Sequence, residues 1–172
     1  MPKLFVVLVL CFPLFASSLA AKSYIEAAGV KDARAISDVP FTWLGLKLYD
    51  AALYTPGGAP FSWQSPLAIE LTYARKLPRS KLVNATRDEL KRLEGNRADH
   101  PAIVAELERC LRDVMRGDRF TAVARTSASV DLFFNGTKAC RLTQAGIGKR
   151  FLKIWLSDNS RSARASRQLR GL

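Results

Sequence analysis

The chain has 172 residues, 48% of them hydrophobic and 24% charged, with 10 glycines and 8 prolines; that balance excludes a disordered or fibrous chain and suffices for one domain with a real core. Lys and Arg number 27 against 15 Asp and Glu, a net charge of +12 that attracts anions. One histidine and no Cys-x-x-Cys spacing give a zinc site no support, and no metal or cofactor is expected.

Residues 1–21, "MPKLFVVLVLCFPLFASSLAA", have the three parts of a secretory leader: Lys3, an apolar run from Leu4 to Phe15, and small residues with Ser18-Leu19-Ala20 as the cleavage signal. The run is too short to span a bilayer comfortably. An uncleaved anchor is the alternative. Cys11 lies inside the run and no cysteine follows the small residues, which argues against a lipoprotein. Residues 22–172 are then an exported domain. Such a protein rarely meets nucleic acid, so its expected anionic partners are lipid headgroups or carboxylate ligands. The alternative is a basic surface that is merely solvated.

Tyr24 to Ala35 has no clear period and reads as an edge strand. Phe41 to Tyr54 reads as one long strand, with Leu44, Leu46 and Leu48 facing the core and Lys47, Tyr49, Ala51 and Leu53 on the other face. "TPGGAPF" breaks it. Leu67 to Arg75 alternates, setting Leu67, Ile69, Leu71 and Tyr73 against Ala68, Glu70, Thr72 and Ala74. A helix follows, with Leu82, Thr86, Leu90 and Leu93 at helical spacing and a stop at Gly95-Asn96. Asp99 and Pro101 open a second helix, which carries Ile103, Leu107, Cys110, Leu111 and Val114 on one stripe. His100 is expected at the surface. "DRFTAVAR" is a strand, and Asn135-Gly136 is a strong two-residue hairpin signal. That turn pairs Phe134 with Thr137, Leu132 with Ala139 and Asp131 with Cys140. "QAGIGKRFLKIWL" is a helix with Ile147, Phe151, Ile154 and Trp155 on one face, and "SRSARASRQLR" a last short helix capped by Ser160. Strands grouped apart from helices indicate an α+β fold, an antiparallel sheet layered with α-helices.

Cys110 and Cys140 are the cysteines outside the leader. In an oxidising compartment they read as a disulfide closing a loop of about 30 residues, worth ~3–4 kcal/mol in the chain-entropy model. Two buried free thiols are the alternative.

The segments "LGLKLYDAALY", "LAIELTYAR", "RGDRFTAV", "LFFNG" and "FLKIWL" occur in this order and together resemble the chalcone isomerase-like family, in particular its exported bacterial branch. The resemblance covers Phe41 to Leu172. It implies the chalcone isomerase fold, with a cleft for a flat or elongated apolar ligand, and a location in the bacterial periplasm. The family holds true isomerases and non-enzymatic relatives that bind fatty acids. The isomerases use an entrance arginine, a threonine on the long strand, and a tyrosine and asparagine from the first long helix. Here Tyr49 falls at the threonine position, Arg34 and Thr42 are the nearest counterparts upstream, and the helix offers Asn84 but no tyrosine. The isomerase set is incomplete, which points away from an enzyme.

A non-enzymatic binder of a fatty acid or similar apolar carboxylate is therefore the leading reading. Lys47 and Tyr49 would hold the carboxylate on the second face of the long strand, with Tyr73 and Arg75 as a second polar handle. The alternatives are an intramolecular lyase or isomerase on a small enone-type substrate, and a basic protein whose tail, Arg161 to Arg170, meets an anionic membrane surface.

Overall fold

The computed structural model describes residues 20–172. The leader expected at 1–21 lies outside them, except that Ala20 and Ala21 begin the first helix. That helix, α1 (Ala20–Ala27), is followed by β1 (Ala33–Trp43), β2 (Leu46–Pro56) and β3 (Leu67–Tyr73). Helices α2 (Arg79–Glu94) and α3 (His100–Cys110) come next. Strands β4 (Arg119–Thr126), β5 (Ser129–Phe134) and β6 (Thr137–Leu142), then helices α4 (Ile147–Leu156) and α5 (Ala163–Leu169), complete the chain. The strands form one antiparallel meander in the order β1-β2-β3-β4-β5-β6. This is the expected α+β architecture.

Alternation decides the layers. Ala51 and Leu53 of β2, Ile69, Leu71 and Tyr73 of β3, Phe120 and Ala122 of β4 and Leu132 of β5 join one core with Leu90, Leu107, Phe151 and Trp155 of the helices. The intervening residues Ala68, Val123 and Phe133 form a smaller core with Ile25 of α1. Beneath α1 the buried Glu70 accepts hydrogen bonds from the Tyr24 hydroxyl (2.5 Å) and the Thr121 hydroxyl (3.1 Å). Burial, then Glu70, push the Tyr24 phenol well above its ordinary range.

Several expectations need correction. The stretch from Tyr24 to Ala35 is not one edge strand: α1 ends at Ala27 and β1 starts at Ala33. The long strand from Phe41 to Tyr54 is two strands joined by a turn at Leu44-Gly45, where φ is +49° and +76°. Its faces are reversed as well. Tyr49, Ala51 and Leu53 stand opposite Tyr73, Leu71 and Ile69 on the helix side, whereas Leu44 and Leu46 are exposed at the hairpin tip. In the β5–β6 hairpin Phe134 pairs with Thr137 as expected, but a bulge after Leu132 moves the register by one. Leu132 faces Cys140, and Asp131 faces Arg141. Leu111 and Val114 lie beyond α3. Val114 bridges to Leu77.

His100 is buried, not at the surface; its Nε2 lies 2.8 Å from Glu94 Oε1. Asp99 precedes α3 without capping it, because Arg150 holds its carboxylate (2.6 Å). Ser162 rather than Ser160 occupies the position before α5. Cys110 and Cys140 form the expected disulfide, with a Cα–Cα distance of 5.5 Å. It ties the end of α3 to β6. Among the described residues no helix is long and apolar enough to cross a membrane, and no group of three or more acidic, His or Cys side chains could hold a metal ion.

Candidate functional site

A row of rings crosses the helix-facing side of the sheet at the end nearer the Leu44 turn. Phe41 stacks on Tyr49 (centroids 5.2 Å), Tyr49 meets Tyr73 edge-on (5.8 Å), and Tyr73 meets Phe120 (6.4 Å), which touches Phe134 (5.0 Å). The register puts Tyr49 directly opposite both Phe41 and Tyr73, and Phe120 opposite Phe134; Phe120 pairs with Leu71, so it meets Tyr73 diagonally. Helices α2 and α4 lie over it. Between them and the sheet is a cavity of about 120 Å³, lined by Tyr49, Leu71, Tyr73, Leu82, Ala85, Phe120, Phe151 and Trp155.

A wider groove of about 680 Å³ adjoins it and shares Tyr49, Ala85, Ile154 and Trp155 as walls. The groove adds Phe41, Thr42, Trp43, Leu44 and Leu48 from the β1–β2 hairpin, Lys81, Asn84, Asp88 and Glu89 from α2, and Arg161 from the segment before α5. The inner chamber is almost wholly apolar, whereas the groove combines apolar walls with the charged side chains of Lys81, Asp88, Glu89 and Arg161.

The polar atoms are disposed accordingly. The Trp155 indole N–H donates to the Tyr49 hydroxyl (3.0 Å). Burial pushes the Tyr49 phenol up to about 12, so it stays protonated and its O–H remains a donor. Burial pushes Tyr73 higher still, and its hydroxyl makes no hydrogen bond to another described residue. Two neutral phenol donors thus border an apolar chamber. In the groove, Glu89 is buried; its carboxylate takes two hydrogen bonds from Arg92 (3.0 and 2.5 Å) and two from Arg161, one from the guanidinium (2.7 Å) and a longer one from the backbone N–H (3.4 Å). Burial works to raise its pKa, but the two arginines outweigh that and lower it. Arg87 holds Asp88 (2.9 Å). The Lys81 ammonium has no ion pair among the described residues.

The four residues named from the sequence divide into two pairs. Tyr49 and Tyr73 are brought together in the inner chamber. Lys47 is exposed and paired with Asp50 (2.6 Å), and Arg75 is exposed beyond the end of β3; neither lines either chamber. Of the isomerase counterparts, Thr42 and Asn84 line the groove, while Arg34 pairs with Asp32 (2.9 Å) opposite Thr55, at the far end of β1. Sequence reasoning missed Lys81 and Arg161. A signal for Lys81 exists: Lys81, Asn84, Ala85 and Asp88 recur at helical spacing beside the Leu82, Thr86, Leu90 stripe. Arg161 leaves no such trace.

A six-stranded antiparallel sheet with α1 on one face, the other helices on the opposite face and a cavity beneath α2 and α4 defines a layered α+β class. A profile described as chalcone isomerase-like matches residues 42–169, and the chain belongs to that family. The crystal structure of an Arabidopsis thaliana fatty-acid binding protein is similar in fold. Its TM-score is 0.61 at 11% sequence identity, over 83% of this chain and 89% of that one. No curated protein sequence matches the chain.

Proposed function

We propose that the protein is an exported, periplasmic, non-enzymatic carrier that binds a fatty acid or similar apolar carboxylate. One observation carries this reading: an apolar chamber bordered by two neutral phenols adjoins, across shared walls, a groove that holds an unpaired lysine. The acyl chain lies in the inner chamber and the carboxylate in the groove. Tyr49 stands at the junction as a donor, and Tyr73 is the second polar handle. In this reading the cation is Lys81, because Asp50 holds Lys47 and neither Lys47 nor Arg75 lines the groove. A cavity of about 150 Å³ takes a benzene-sized guest, so a long chain fills the 120 Å³ chamber and continues into the groove. The fatty-acid binding of the Arabidopsis protein accords with the proposal.

Titration with palmitate, and with its methyl ester as a control, tests it. The acid should bind more tightly than the ester, and Lys81→Ala and Tyr49→Phe should each weaken the acid about tenfold, as expected for a hydrogen bond to a charged group. Equal binding of acid and ester, or two variants that bind like the parent, would refute the site. A second reading rests on Tyr49, Thr42 and Asn84 sharing one groove: Tyr49 would act as general acid on an enone-type substrate. It requires turnover that falls in Tyr49→Phe, and no turnover across a chalcone panel removes it.

A further inference from the structure

The tip of the β1–β2 hairpin departs from local preference without burying anything. A two-residue turn with positive φ at both positions normally takes Asn-Gly or Asp-Gly. The β5–β6 hairpin obeys: Asn135 and Gly136 have φ of +48° and +84°, and the Asn135 side chain bonds Arg119 N–H and Asp118. The β1–β2 hairpin builds the same turn from Leu44 and Gly45. Left-handed backbone is unfavourable for leucine, and Leu44 is 87% exposed. Trp43 (56%) and Leu46 (55%) flank it. These three are among the few large hydrophobic side chains exposed on the described surface.

Cations surround the tip. Lys47 follows Leu46 directly. The Ala74 N–H donates to Leu48 O (2.9 Å), which extends the β2–β3 pairing past Tyr49–Tyr73 and sets Arg75 beside Lys47, with Lys76 next. Lys81 lines the groove together with Trp43 and Leu44. Arg75, Lys76 and Lys81 have no ion pair among the described residues. The nearby carboxylates are committed: Asp50 to Lys47, Asp88 to Arg87, and Glu89 to Arg92 and Arg161. The basic tail, by contrast, is folded into the domain, with Ser166 and Leu169 buried and Arg170 paired with Asp158.

We infer that Trp43, Leu44 and Leu46 form a docking finger for the surface of an anionic phospholipid bilayer. A protrusion of three side chains is too small for a stable protein interface, which needs about 800 Å² on each side. It suits shallow insertion, because an indole prefers the headgroup level and a leucine enters the acyl boundary. The unpaired Arg75, Lys76 and Lys81 gain from anionic headgroups. Docking sets the mouth of the groove against the lipid. The inference goes beyond the carrier reading and stands without it.

The test uses the full chain with vesicles of phosphatidylglycerol and phosphatidylcholine whose acyl chains are brominated, reading tryptophan quenching. The wild type is quenched, and Trp43→Phe loses that quenching, because Trp155 is buried and the half-buried Trp63 sits in the β2–β3 connection, at the end of β2 away from the Leu44 turn. Leu44→Asn restores the preferred turn, so its thermal midpoint does not fall. Its half-maximal vesicle concentration rises about tenfold, as expected for one leucine withdrawn from apolar surroundings. Undiminished quenching in Trp43→Phe overturns the inference, as does a Leu44→Asn chain that docks like the parent, or equal docking on purely zwitterionic vesicles. Palmitate binding without vesicles is measured on the same proteins. Its absence in the wild type refutes the carrier reading and leaves the docking result to stand by itself.

Discussion

Replacing Gly148 with alanine should destabilise the protein, although Gly to Ala inside a helix ordinarily stabilises. Gly148 is the second residue of α4. A Cβ built there would lie 2.3 Å from Thr126 O and 2.7 Å from Ser129 O, both backbone atoms of the β4–β5 turn. A carbon-to-oxygen contact needs roughly 3.3 Å, so helix and turn must part by about 1 Å. Neither obstacle is a flexible side-chain end. Alanine gains ~1 kcal/mol from helix propensity. Against this, overpacking costs ~1–3 kcal/mol, and stretching the Gly148 N–H bond to Ser127 O (3.0 Å) loses about 1 kcal/mol more. The net is a loss of ~2 kcal/mol, or roughly 4–8 °C in Tm for a domain of this size. Urea unfolding followed by circular dichroism measures it. A Gly148→Ala chain as stable as the parent, or more stable, would refute the close approach of α4 to that turn. Because α4 carries Phe151 and Trp155, the displacement should also distort the inner chamber.

The other predictions concern what ties the helices to the sheet. Hydrogen bonds from Arg150 hold the Asp99 carboxyl down to about 2. At Glu94 burial works upward, but Arg150 and His100 outweigh it and lower the pKa. Stability from these depressed carboxyls is fully present above the ordinary carboxylate range and lost as pH falls from about 4 to about 2. Acid unfolding should therefore steepen in that window, and Arg150→Met should flatten it while losing ~3 kcal/mol at pH 7; unchanged urea midpoints in the variant would contradict this. Reduction of Cys110–Cys140 should cost ~3.5 kcal/mol for a sequence separation of 30, read as the shift in unfolding midpoint with and without reductant. Tyr24→Phe takes one donor from buried Glu70 and should cost about 2 kcal/mol. Its hydrogen exchange should quicken first in α1; uniform quickening would contradict a locally docked helix.

Legibility depended on whether a feature was local. The Asn135-Gly136 turn, the α2 stop at Gly95 and the alternation of β3 were readable because one residue type fixes each. The Leu44-Gly45 turn was not, since leucine occupies a position that local preference gives to asparagine, and the mistake reversed the face assignment of β2. The one-residue bulge after Leu132 carries no composition signal either. At the site, Tyr49 and Tyr73 could be paired from strand alternation alone. Lys81 was legible in principle, as one end of a helical stripe with Asn84, Ala85 and Asp88, whereas Arg161 reaches the groove through the packing of the segment before α5, which no local pattern encodes.

In the proposed carrier the paired chambers hold an apolar acid. Native mass spectrometry of the gently purified protein, followed by solvent extraction, tests it most directly. One acyl carboxylate per chain is expected, or its uptake when palmitate is added, with loss in Lys81→Ala. A chain that carries no acid and takes up none would contradict it.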